Sequence, residues 1–209
     1  DDMCDAGGKL RAASEYLEPE KYPARTHEYM QAEASAVALY YYQVLFIPGL
    51  LQTEEYARAL LNAHCPPLDD ETLEDRLAAR MQRQDLLTSK PRTLFSFVIH
   101  EAALRTMAGG PAVMATQLRH MVDVSDLRNV TVQVLTADHG AHPGLNGPLV
   151  VVETEEHQHY TYVEGQETGV LYSDPDKVSA LTQRQSMIRA SALTPEDSAR
   201  FIRKVADEL

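Results

Sequence analysis

Side chains able to do chemistry gather in a few stretches of this 209-residue sequence. The run Asp138-His139-Gly140-Ala141-His142-Pro143-Gly144-Leu145-Asn146-Gly147 follows an apolar segment and is too rich in glycine and polar residues to be core. Two histidines and an aspartate have the donor chemistry of a divalent-metal site, but no helix holds them in register and no third fixed ligand is evident, so no metal is assigned. Loops at the carboxyl ends of strands are where α/β proteins place ligands, which makes His139, His142 and Asn146 candidate contacts. A plain turn remains the competing reading. Glu164, in YVEGQ, ends a strand-like stretch in which Tyr160 and Tyr162 alternate on one face. That arrangement suits a cationic or hydroxylated ligand, and equally a structural pair between Glu164 and an arginine such as Arg189 or Arg105. His100-Glu101 opens a helix, where an acid-base pair and a helix cap are the alternatives. In the turn PGLLQT, Gln52 is a candidate pocket-rim residue, while Leu50 and Leu51 read as core plugs and Thr53 as a cap. No G-x-S-x-G, Cys-His or phosphate-loop signature is present, so no catalytic residue and no cofactor is assigned.

The elements that position these groups follow from periodicity. Residues 28–42, rich in alanine and good helix formers, read as a helix stopped by Ile47-Pro48-Gly49. Helices are expected from Thr53, over about 69–87, in the EAALRTMA segment and over about 112–124, with two more starting at Asp174-Pro175 and Thr194-Pro195. The β-branched and aromatic runs 93–99, 129–135, 147–153 and 160–164 read as strands. The first two, joined by two helices, should be parallel neighbours, and the last two a hairpin with His157 and His159 at a solvated tip. The fold class is therefore α/β (α+β): a small mixed sheet of about four strands with six to seven helices. Arg76, Arg80 and Arg83 form one stripe on their helix, expected to be a solvated or salt-bridged face, with a partner site as the competing reading.

Composition narrows the function. Lys and Arg total 19 against 31 Asp and Glu, a net charge of −12. Nucleic-acid binding by phosphate neutralisation is disfavoured for this segment. From Asn129 to Asp176 there is no Lys or Arg but eight acids, so a cationic or hydrogen-bonding effector would suit that half. No stretch is long and apolar enough for a bilayer and no secretory pattern opens the chain, so a cytoplasmic location is expected. Cys4 and Cys65 show no metal or disulfide spacing.

Six blocks carry a resemblance. IPGLLQTEEYARALL (47–61), RLAARMQRQDLL (76–87), HEAALRTMAGGPAVMATQLRHM (100–121), NVTVQVLTADHGAHPGLNGPL (129–149), YVEGQ (162–166) and MIRASALTPEDSARFI (187–202) closely resemble, in order and spacing, DUF5753. This is the Scr1-type, antitoxin-like C-terminal domain of actinobacterial Xre-family helix-turn-helix regulators. His100, Thr106, Thr136 and Leu149 depart from the family's usual residues. The resemblance implies a sensory or partner-binding domain over residues 28–209, with 1–27 a leader or linker after a helix-turn-helix absent from this chain. It further implies a homodimer, DNA contact only through that missing domain, a small-molecule effector, and a small DUF397-type partner protein. An effector or partner is expected against loop 138–147, Glu164 and the tyrosine face. The alternatives are a stand-alone biosynthetic enzyme using His100, His139 or Glu164 as acid-base groups, and a purely protein-binding, antitoxin-like module.

Overall fold

The computed structural model describes residues 24–165 and 169–209. A six-stranded mixed sheet runs in the order β3-β2-β1-β4-β5-β6. Its strands are β1 (Ala36–Gln43), β2 (Leu94–His100), β3 (Val130–Leu135), β4 (Leu149–Thr154), β5 (His159–Glu164) and β6 (Gly169–Tyr172). β1 pairs in parallel with β2, and β2 with β3, while β4, β5 and β6 extend the other side in antiparallel fashion. The parallel β2-β3 pair and the β4-β5 hairpin match the sequence expectation. The sheet is larger than the four strands expected, by β1 and β6.

The β1 segment is the main correction. Residues 28–42 do not form one helix: α1 (Ala24–Ala34) ends at the alanines and β1 follows at once. Alanine favours helix only when nothing else decides. Here Val37 and Tyr40-Tyr41-Tyr42 fit a pleated surface, and hydrogen-bonded neighbours on both edges override local propensity. β1 is the centre of the sheet, and the tyrosines point alternately to its two faces rather than around a helical arc. Short β6, next to Gly165 and opening with a glycine, carries too little periodicity to be read from sequence; its Val170 pairs with Val163.

The helices that the periodicity predicts form, with caps at the expected residues. They are α2 (Glu54–Asn62), α3 (Asp70–Arg83), the short α4 (Leu86–Ser89) and α5 (Glu101–Arg105), α6 (Pro111–Val124), α7 (Pro175–Ser191) and α8 (Pro195–Asp207). Thr53, Asp69, Asp174 and Thr194 each accept the backbone N–H three residues on, satisfying a donor left open by the first helical turn. Leu39, Phe97, Ile99, Val132 and Val152 build the main core on one sheet face, against α6 and α8. α7 covers the other face, where Ile188 packs on Tyr42, Val98 and Val151. Among the described residues, no helix is long and apolar enough to cross a membrane.

Three strands thus end side by side, at Gln43, His100 and Leu135, and the segments leaving them form one rim of the molecule. Leu39, at the centre of β1, is completely buried. Leu39→Ala is expected to destabilise the fold by about 2–5 kcal/mol through the cavity it leaves, as read by urea denaturation.

Candidate functional site

A cleft of about 500 Å³ opens at the rim between the end of β1, the Pro48-Gly49 turn, α3 and the end of β5. Its floor rests on a buried carboxylate. Glu33, 2% exposed, hangs from α1 beneath the cleft. Tyr29 donates its hydroxyl to Glu33 Oε1 at 2.7 Å, and Tyr41 of β1 donates to the same oxygen. Arg83, at the end of α3, closes the network with Nη2 3.0 Å from Oε1 and Nε 2.6 Å from Oε2. Burial works against the Arg83 charge, but Glu33 and the two tyrosines together offset it and hold the guanidinium pKa above its ordinary value. Burial likewise pushes both tyrosine pKa values well up, aided by the neighbouring carboxylate. The two tyrosines therefore keep their protons and Arg83 its charge, as a rigid floor requires.

One wall is the turn expected from PGLLQT. Leu50 and Leu51 are core plugs as anticipated. The backbone of the turn is clamped from two helices: Gln84 donates to the carbonyls of Gly49 and Gln52, while Gln117 donates to Leu51 O and accepts from Thr53 N. Gln52 is buried; its Nε2 donates to Ile47 O at 2.6 Å and its Oε1 accepts from Arg80 Nη1 at 3.0 Å. It is thus a positioning residue that aims Arg80 at the cleft. The arginine stripe of α3, expected as a solvated or salt-bridged face, is salt-bridged at Arg83, and Arg76, Arg80 and Arg83 all line the cleft, each half-buried.

Opposite them stand Tyr162 and Glu164. Tyr162 is buried and stacks on Tyr29 with ring centroids 4.3 Å apart. Its hydroxyl occupies the space in which a side chain at position 169 would sit, since a Cβ there would lie 2.0 Å from the oxygen, so only glycine fits at Gly169. Glu164 shows its tip to solvent, yet burial raises its pKa, with Arg83 and then Arg80 pulling the other way. It pairs with neither Arg189 nor Arg105 in any ion pair found among the described residues.

His100 and His142 line a neighbouring pocket of about 250 Å³, which shares Gln43, Phe46 and Pro148 with the cleft. His100 and His142 stack at 5.8 Å, and His139 lies 6.1 Å from His142. Each of the first two rings caps a turn through Nδ1: His100 accepts from Ala102 N and His142 from Gly144 N, both at 3.1 Å. That use leaves Nε2 as the protonated nitrogen of the neutral ring. Burial lowers the His142 pKa, helped by the other two histidines. Glu101 accepts from Ala137 N and pairs with Arg105, a structural tie between α5 and the loop after β3. No cluster of three or more metal-ligating side chains occurs among the described residues.

The structure therefore brings Gln52, Tyr162 and Glu164 together in the cleft, and His100, His139 and His142 together next to it. Asn146 is exposed at the end of a one-turn helix, and Tyr160 lies further down β5, donating to Gln158. Sequence reasoning missed Glu33, Tyr29 and Gln43. The spacing of Tyr29 and Glu33, one helical turn apart, is the signal that could have exposed the floor.

The sequence profile of DUF5753, described as a domain of unknown function, matches residues 26–204. The chain belongs to the DUF5753 family. No curated protein and no solved structure matches it. The matched span runs from α1 into α8, so the whole cleft lies within the DUF5753 domain.

Two outcomes test the electrostatics of this domain. Glu33→Gln leaves Arg83 without its counter-charge and is expected to cost about 3 kcal/mol in chemical denaturation. Glu164 has a folded pKa above its unfolded value, so its ionisation penalises the fold progressively as pH rises through the folded pKa. Glu164→Gln should accordingly raise the melting temperature at neutral pH, and calorimetry at descending pH should find the gain gone below the unfolded carboxylate pKa.

Proposed function

We propose that this DUF5753 domain is the effector-sensing, dimerising part of a helix-turn-helix regulator of the Xre type, with no catalysis of its own. The observation that carries the reading is the cleft: a concave site of ligand size at the carboxyl end of the parallel strands, with charged side chains held over a buried ionic floor. The arginine-lined wall changes the expected effector from a cation to a molecule bearing an anionic group. The regulatory part rests on the six sequence blocks that resemble regulator C-terminal domains. An effector that binds one arrangement of the paired domains more tightly than another shifts their populations, and with them the spacing of attached DNA-reading heads.

A second reading takes a small protein as the occupant. Leu45 and Leu145, 65% and 70% exposed, both line the histidine pocket and offer an apolar seat beside the cleft. A DUF397-type protein is the partner proposed under that reading.

Thermal-shift screening of the chain against a metabolite library separates the two. A ligand that binds only the folded state raises the melting temperature, and Arg80→Ala should abolish the shift while leaving the unliganded melting temperature within a few degrees. If no metabolite shifts the chain, small-molecule sensing fails.

A further inference from the structure

Two polar atoms of the cleft lack partners. Gln43, only 7% exposed, ends β1 at the cleft, and its Oε1 accepts no hydrogen bond. Across from it on α3, Arg76 Nε is buried and donates none. Arg83 Nε, the other cleft atom outside the hydrogen-bond network, meets Glu33 as an ion pair. An unsatisfied buried polar group costs about 1–3 kcal/mol, so the remaining two call for a partner from outside the chain, a ligand or water. One is an acceptor and the other a cationic donor, and the same opposition recurs beside them. Glu164 supplies a carboxylate at one side of the mouth, while Arg80, steadied by Gln52, faces it from α3. Arg83 belongs to the floor, committed to Glu33.

Such a site rejects ligands of a single sign. A polyanion would meet Glu164 and the Gln43 oxygen as well as the field of a chain carrying −12 net charge. A simple cation would meet the arginines. Resting on the reading of the cleft as a sensory site, we propose that it binds a small zwitterion of amino-acid to dipeptide size. The carboxylate sits on Arg76 and Arg80, an N–H reaches Gln43 Oε1, and the ammonium lies beside Glu164. Arginine holds carboxylates through paired, charge-assisted hydrogen bonds, which fixes one end. Phe46 and Tyr162 leave apolar and aromatic wall between the charged ends, where a side chain of the ligand would pack. A bound ammonium also repays the cost that Glu164 bears when ionised there, so the ligand and the carboxylate support each other.

The test is differential scanning fluorimetry, followed by calorimetric titration, of the whole chain. The probes are the common amino acids and a set of dipeptides, each with free termini, amidated at the carboxyl end, or acetylated at the amino end. The expected result is a melting-temperature rise with at least one free-terminus compound, and affinity weakened roughly tenfold or more by either blocking group. Arg76→Gln and Gln43→Met should each weaken that same compound with the circular-dichroism spectrum unchanged. The blocked compounds test the idea on the wild-type chain even where a variant folds poorly. Equal binding of blocked and free forms overturns the proposal. So does a shift by inorganic phosphate or a nucleoside monophosphate with none by the zwitterions, which would leave the sensory reading standing. Silence across both these probes and the metabolite library would remove that reading as well.

Discussion

The burial of one carboxylate governs how this molecule is put together. A charged side chain excluded from water must be met by donors, and Glu33 is met by two tyrosines and an arginine drawn from α1, β1 and α3. α1 and β1 adjoin in the chain while α3 comes about thirty residues later, and the requirement to converge on two oxygens fixes where α3 sits against the other two. α1 is pinned at the sheet beside β1, and the end of α3 is drawn down onto that edge of the sheet. Hydrophobic packing alone would tolerate a looser seat for α3, because area burial has no preferred direction, whereas an arginine on a carboxylate does.

The cleft is a consequence of that placement. With Arg83 anchored below, Arg80 and Arg76 follow one and two turns back along the same helix and are held above the floor. Gln52 fixes one of them further, and the turn that carries Gln52 is itself clamped by Gln84 and Gln117. Each polar side chain in the wall is supported by another whose own bonds are satisfied, which is how a site holds its geometry before a ligand arrives. Gln43 Oε1 and Arg76 Nε are the buried cleft atoms that neither a hydrogen bond nor an ion pair accounts for.

Much of this was legible in the sequence where local signals and tertiary demands agree. The caps at Thr53, Asp69, Asp174 and Thr194 and the β4-β5 hairpin are set by residues within a few positions of each other, and the parallel β2-β3 pair by the crossover that its two intervening helices require. The central strand was not legible, because an alanine-rich segment beside three tyrosines has no clear period. Its identity is decided by β2 and β4, which lie tens of residues away. The site divides the same way. Gln52, Tyr162 and Glu164 sit at turns and strand ends, where polar residues are conspicuous. Glu33 and the arginine stripe look like an ordinary polar helix face until the partner helix is placed.

That contrast bears on the acidic character of the chain. The stretch from Asn129 to Asp176 carries no basic residue, which taken by itself suits a cationic ligand. The fold sets Glu164, from within that stretch, in one cleft with three arginines contributed by α3. Sequence-local charge therefore misstates the sign of the site, since a cleft mixes walls that are distant in the chain. Opposed charges lining one cleft, over a floor already neutralised internally, favour a molecule that carries both signs over one that carries either.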